Sequence, residues 1–514
     1  MFASVPLFLA LAGSALSTPA NVLFKRGDTV DNNSCFNDPN LPAPQPKSLG
    51  GLDHNWMTLH CDIPEVANVG GKYSPRERWV AAQATNALAA AQICWIMSKD
   101  QTANKFTFSQ SVSNFIHGKD GMKCEILDAS GGSLSGCSET SVCDEAGHAA
   151  GFQILNSMAT IHRVHQGTYD ALEAAKVNII GRVGEFAKVF SPRIDELRAL
   201  KIFLDVIGMG FALAAAPVWN SALKVGWLAS NGNTLGTLKD SVNGMVSNGL
   251  TLGKDVATQA NSALGAQNSL SNRITILINA WKQKVADTNA MMFSGSNDHS
   301  GMQLLLNMMD EGKLLDYTDI VKTSLAGPII ERILWAIMIP WAWSMSNAGI
   351  YPFIMISDDE GERNRCTNLE TGKKYIADYE KVFVCVDGKS YWLVNVAGGA
   401  QVSCGYYDQD VICEDNYFSP LPGTDQLLTN GKNNPWGSLT IGDIVTSSIN
   451  SYKANGNKPG FVLDMSKGSS VDELASKGVQ AAGVFTLPIC TREEAWYNWF
   501  DGPLASKAKN YPCN

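Results

Sequence analysis

Residues 144–190 read DEAGHAAGFQILNSMATIHRVHQGTYDALEAAKVNIIGRVGEFAKVF. Within this stretch Met158, His165, Leu172, Ile179 and Phe186 recur seven residues apart, a spacing that keeps one face of a long helix in register. A second stretch, 253–290, sets Val256, Ala260, Ala263, Leu270, Ile274, Leu277 and Trp281 at alternating steps of four and three, with Gln267 as the polar member of the row. Two long amphipathic helices are expected, and each needs other helices to cover its apolar row.

The chain between and after these rows is more apolar. Ser191-Pro192 restarts a helix, and Val206–Trp219 runs for 14 residues without a charge, shorter than the ~20 residues that a membrane-spanning helix needs. Asn, Gly and Ser then dominate 229–249, the composition of a turn or connection. Ile333–Ile356 has 24 uncharged residues, but Pro340, Asn347, Gly349 and Pro352 interrupt it. It reads as a buried helix to about Ser344 followed by an extended piece.

Twelve cysteines bracket this middle. Cys35, Cys61, Cys94, Cys124, Cys137 and Cys143 fall early, Cys366, Cys385, Cys404, Cys413, Cys490 and Cys513 fall late, and 222 residues without cysteine separate the groups. An even count in two clusters predicts disulfides at both ends around a disulfide-free centre, with the pairing left open. No Cys-x-x-Cys occurs, which argues against a structural zinc site.

The start of the chain fits that oxidising destination. Met1–Ser17 carries an apolar run from Val5 to Leu16, with Ala15 and Ser17 three and one positions before Thr18, the layout of a signal peptide. Lys25-Arg26 is a dibasic processing signal, so 18–26 reads as a propeptide and Asn32-Asn33-Ser34 as a glycosylation acceptor at Asn32. Loss of residues 1–26 removes two basic side chains and no acid, taking the formal charge from −9 to −11. A dispersed acidic balance argues against nucleic acid as a partner.

Three units follow from these patterns. The first, 27–143, is Cys-rich and opens on an extended Pro39–Pro46 stretch. It holds a helix started by the Ser74/Glu77 capping box with Pro75 inside it. That helix runs through Trp79, Leu88 and Trp95 to Met97, and short strands are expected near Phe106–Phe108 and Cys124–Leu127. The second unit, 144–356, is helical. The third, 357–514, turns to β signals: Lys381–Val386 and Lys389–Val396 flank Asp387-Gly388, a two-residue hairpin turn. Capping boxes at Ser470/Glu473 and Thr491/Glu494 predict later helices. The expected class is α+β, a helical bundle between a disulfide-rich start and a disulfide-rich, β-containing end.

Catalytic patterns are absent. Gly132-Ser133-Leu134-Ser135-Gly136 has leucine where a hydrolase elbow needs serine, and Gly423–Lys432 has the wrong spacing for a phosphate loop. Gly208-x-Gly210 lacks its third glycine. Glu145-x-x-His148 has no second copy to complete a di-iron bundle site. His162 and His165 share a helix without a third ligand and read as packed histidines; His54 and His60 read as hydrogen-bonded ones, and Asp298-His299 as solvated. Asp358-Asp359-Glu360 reads as a solvated turn. No cofactor and no metal are expected.

The central layout over 144–345, long helix, apolar insertion, Gly/Asn stretch, long helix, resembles helical pore-forming toxins. The likeness implies that Val206–Trp219 and Ile333–Trp343 are covered in water and released to a membrane. The short leader, Lys25-Arg26 and Cys-stapled ends are also similar to uncharacterised secreted proteins of filamentous fungi, which implies an extracellular effector role toward a host or competitor surface. Two other readings stand beside it. Tyr391, Trp392, Tyr406, Tyr407, Tyr417, Phe418 and Trp436 could form a carbohydrate-binding face, and a secreted hydrolase could assemble its carboxylates only in the fold. A non-enzymatic extracellular protein is the expectation.

Overall fold

The computed structural model describes residues 55–98, 106–116, 118, 122–127, 136–137, 142–146, 148–190, 270–295, 300–312, 314–315, 323–345, 350–367, 369–396, 404–407, 410–413, 418–427, 434–461, 473, 476–500 and 510–513. The expected leader 1–17, the 18–26 segment, Asn32, Val206–Trp219, residues 253–269 and Ser470 lie outside the described residues.

The first helices are α1 (Pro75–Ala81), α2 (Ala84–Ser98) and α3 (Phe108–Phe115). The Ser74/Glu77 capping box with proline inside starts α1. The expected single helix from Trp79 to Met97 is broken, because Gln83 adopts φ +50° and the chain restarts at Ala84. The strand expected at Phe106–Phe108 is corrected too. Thr107 and Gln110 form a capping box there, and these local hydrogen bonds start a helix where residue preference suggested a strand. The strand expected at Cys124–Leu127 is a turn at 124–125 followed by irregular chain.

The long helix α4 spans Ala149–Phe190. From Gln153 to His162 every side chain is buried, and toward its end burial narrows to the stripe Leu172, Ala175, Ile179, Val183, Phe186, Phe190. Met158 and His165 continue the same buried row. Packed on it are α5 (Leu270–Ser294) and α7 (Thr323–Met345), with α6 (Ser300–Met309) beside α5. Lys282 of α5 sits 4.2 Å above the Tyr169 ring and bonds Glu173, tying α5 to α4. Hydrogen bonds from Lys176 and then Lys282 hold the Glu173 carboxyl below its usual range.

The last part is a mixed sheet with short helices. Its elements are β1 (Pro352–Ile356), α8 (Glu360–Arg363), α9 (Glu370–Tyr375), β2 (Phe383–Val386), β3 (Lys389–Asn395), β4 (Cys404–Tyr407), β5 (Asp410–Cys413), β6 (Ser419–Pro420), α10 (Ile441–Ala454), β7 (Ile489–Thr491) and α11 (Arg492–Phe500). The strand order is β2-β3-β1-β7, with β6 also on β3. β1 runs antiparallel to β3 and parallel to β7. The β2–β3 turn has φ +51° at Asp387 and +77° at Gly388, the left-handed pair that a two-residue hairpin requires.

This sheet separates two cores. Side chains alternate along a strand, so Ile354, Tyr391 and Leu393 face a main core reaching back to Trp56, while Phe353, Met355, Trp392, Val394 and Val396 face a smaller one. The small core is closed by α11 and by Tyr511 and Cys513 of the tail. Cystines Cys61–Cys143 and Cys124–Cys137 close the start, and Cys366–Cys385 and Cys490–Cys513 close the end. Cys404 and Cys413 are register partners across β4–β5. The chain is thus helix-rich with a sheet and cystines at both ends.

Candidate functional site

His162 and His165, the paired histidines of α4, are both buried. His162 Nδ1 donates to the Cys124 carbonyl at 2.9 Å, and Asn289 Nδ2 donates to the same oxygen at 2.7 Å. His165 Nδ1 donates to the Ile161 carbonyl at 2.9 Å, and burial pushes its pKa down to about 4. His148 lies edge-on to Trp56 at 5.7 Å, and His60 is exposed. His54 and Asp298-His299 lie outside the described residues, as does the Glu145 side chain. Among the described residues no three His, Cys, Asp or Glu groups gather at metal-binding distance.

Among the described residues two carboxylates, Glu362 and Asp443, are buried, and both organise backbone. Glu362 accepts from Ser357 Oγ, from the Thr371 hydroxyl and from the Thr371 N–H. Asp443 accepts from the Thr440 N–H and hydroxyl, each at 2.9 Å, from Gln480 at 2.8 Å and from Arg332 at 2.7 Å. Asp358, Asp359 and Glu360 are exposed, as a solvated segment should be, and the first two also have structural roles. Asp359 caps α8 through the Gly361 and Glu362 N–H groups, and Asp358 reaches across to the start of α11.

The aromatic face expected from the sequence is mostly core. Trp392, Phe418 and Trp436 are fully buried and Tyr391 is nearly so; Tyr417 and the side chains of Tyr406 and Tyr407 lie outside the described residues. Trp436 meets Phe190 at 5.0 Å and Trp335 at 5.0 Å, and donates its indole N–H to Gln426 at 2.9 Å. Phe186, Phe190 and Trp343 complete this cluster, which joins the ends of α4 and α7 to the last part of the chain. Within Ile333–Trp343, Ile333, Trp335, Ile339 and Trp343 are at most 1% exposed, while Ile337 and Pro340 are half-buried. Among the described residues no helix is long and apolar enough to cross a membrane.

Among the described aromatic residues Tyr497 on α11 and Phe106 before α3 are exposed; the α11 run Trp496-Tyr497-Asn498-Trp499, which the sequence reading passed over, sets three rings close together. Its signal was present: the Thr491/Glu494 capping box fixes the phase, and three aromatic residues follow within one turn. Thr491 Oγ1 accepts from the Glu494 N–H at 3.2 Å. Asp358 accepts from the Glu493 N–H at 3.1 Å and from Arg492 Nε at 2.8 Å. The Arg492 guanidinium lies 4.4 Å over the Tyr375 ring, with Lys374 Nζ 5.0 Å from the same ring. Trp496 and Trp499 meet at 5.2 Å with planes 76° apart, and Trp499 leans on Phe418 at 6.4 Å. Tyr497 is 55% exposed. Cys490–Cys513 and the bond from Asn498 Nδ2 to the Pro512 carbonyl at 2.8 Å fix the tail beneath the helix.

No protein-family model matches the sequence, and no solved structure matches it. The chain is 25% identical over 509 residues to "Probable chitinase LysM18" of Penicillium expansum, which covers 90% of this chain and 34% of that protein. It is 23% identical over 517 residues to "Secreted chitinase LysM12" of the same fungus, covering 91% and 33%. The chain thus spans about a third of the length of these relatives. With cystines at both ends and a relative named as secreted, the protein is extracellular and similar to secreted fungal proteins.

Proposed function

We propose that this chain is a non-catalytic, extracellular polysaccharide-binding protein that acts on the same class of wall material as its chitinase-named relatives. The observation that supports the choice of polysaccharide is the extent of the likeness: nine-tenths of the chain aligns with a third of each chitinase-named relative. Within the described residues, the buried carboxylates Glu362 and Asp443 and the histidines His162 and His165 hydrogen-bond partners that organise this fold. Glycoside hydrolysis needs one carboxyl as acid and another as base or nucleophile facing the same bond, whereas Glu362 and Asp443 are each saturated by backbone-organising partners.

The experiment is depletion of the purified secreted chain from solution by insoluble chitin, with cellulose and β-glucan beside it, and reducing-sugar release measured in the same tubes. Depletion by chitin without sugar release is the expected outcome. Sugar release above a heat-denatured control would replace this reading with the second one, a hydrolase, which the relatives' names favour. A toxin-like role gains nothing from either relative's name, and its candidate segment Val206–Trp219 lies outside the described residues.

A further inference from the structure

At 3.6 residues per turn, Ala495 and Asn498 share the inner side of α11, and both are buried. Glu493, Trp496 and Tyr497 fall on the opposite side, with Glu493 and Tyr497 exposed and Trp496 half-buried. The rings are held from behind. Phe353 meets Phe418 at 5.3 Å, Phe418 meets Trp499 at 6.4 Å and Trp499 meets Trp496 at 5.2 Å, a chain of edge-on and tilted ring contacts from the small core toward the surface. Trp499 thereby helps to orient the Trp496 ring. A ring fixed before binding loses little freedom when a ligand lands on it.

We infer that the outer side of α11, formed by Trp496, Tyr497 and Glu493, is a stacking subsite for N-acetylhexosamine units of a wall polysaccharide. This inference rests on the polysaccharide-binding reading and names its site. A pyranose has an apolar C–H face and a rim of hydroxyl and acetamido groups. The ring faces of Trp496 and Tyr497 match the first, since aromatic side chains combine large apolar area with fixed geometry. The Glu493 carboxylate, whose position between them follows from the helical phase, accepts hydrogen bonds from the second. Charges nearby are mixed: Arg492 and Lys374 stand beside Asp358, Glu493 and Glu494. That balance suits an uncharged polymer and disfavours a polyanion. The T-shaped Trp496–Trp499 pair offers no second coplanar indole, so the subsite suits a single chain more than a flat crystalline surface.

The test is calorimetric titration of the full secreted chain with a soluble N-acetylglucosamine oligomer, together with pull-down on swollen chitin. It compares wild type, Tyr497→Ala, Trp496→Ala and Trp496→Phe, with Val177→Ala as a control on the exposed side of α4. Circular dichroism confirms that each variant is folded. Tyr497→Ala and Trp496→Ala should each weaken binding by about tenfold or more, Trp496→Phe should retain most of it, and Val177→Ala should match wild type. If wild type binds and the two alanine variants bind equally well, the subsite is wrong while the binding reading stands. If wild type binds neither probe, the binding reading falls, and the subsite with it. Should Trp496→Ala fail to fold, Tyr497→Ala and Trp496→Phe decide.

Discussion

Trp436 and Tyr497 show how differently two aromatic residues of one chain are used. Trp436 has no exposed surface, touches Phe190 and Trp335, and satisfies its N–H on Gln426. Truncation leaves a cavity where five rings converge, so Trp436→Ala should cost about 3–5 kcal/mol, read as a lower urea midpoint. Tyr497→Ala removes a ring that is 55% exposed and should change stability by about 0.5 kcal/mol or less. His165 makes a third residue-scale prediction. Its folded pKa of about 4 lies below the ordinary 6.5 because burial disfavours the charged ring. Between those values the unfolded chain binds a proton that the folded chain refuses. Stability is therefore full above pH 6.5 and falls as pH drops toward 4, by about 3 kcal/mol at most. Urea midpoints measured across that range should decline with acid, and His165→Gln should flatten the decline.

At the scale of elements, what could be read in advance depended on whether a pattern repeats. The row Met158, His165, Leu172, Ile179, Phe186 survives as buried positions of α4 because several turns vote for one phase. The Asp387-Gly388 turn survives because its backbone demand is local. The helix at Phe108–Phe115 is short, so a single capping box outweighs its composition. Exposure of aromatic residues was illegible for another reason: β3 is covered on both faces, which removes the alternation that marks a half-exposed strand. The joint between α7 and α10 was equally hidden, since Arg332 and Asp443 are far apart in sequence. Gly437 lets the chain pass there: it has φ +63°, and a Cβ would lie 2.4 Å from the Arg332 Cα. Asp443 is 2% exposed and Arg332 is 37% exposed by side chain. Asp443→Ala removes the carboxylate half of the α10 capping box and leaves the Thr440 N–H and Gln480 unanswered, so it should cost about 2–3 kcal/mol. Arg332→Ala should cost less, because the Asp443 carboxylate keeps its three other donors; paired urea titrations would show the difference.

Over the whole molecule, the two cores have unequal means of support. The main core runs from Trp56 to Phe485 and draws on all three parts of the chain, so its helices depend chiefly on burial. The small core holds a dozen buried residues, among them Cys490 and Cys513 themselves. Their cystine closes a sequence separation of 23 residues, a loop for which a disulfide contributes about 3 kcal/mol. A small core gains proportionally more from such a link than a large one. Cys490→Ser combined with Cys513→Ser should therefore loosen α11 and the 510–513 tail first, leaving the long helices folded. Far-ultraviolet circular dichroism of the double variant should stay near wild type, while protease cleavage should begin after residue 489. Since Trp496 and Tyr497 ride on α11, chitin binding should fall together with that cleavage resistance. A variant that becomes protease-sensitive at α11 yet binds chitin at full strength would separate the sugar contact from the cystine-held end, and the binding face would then have to lie elsewhere on the molecule.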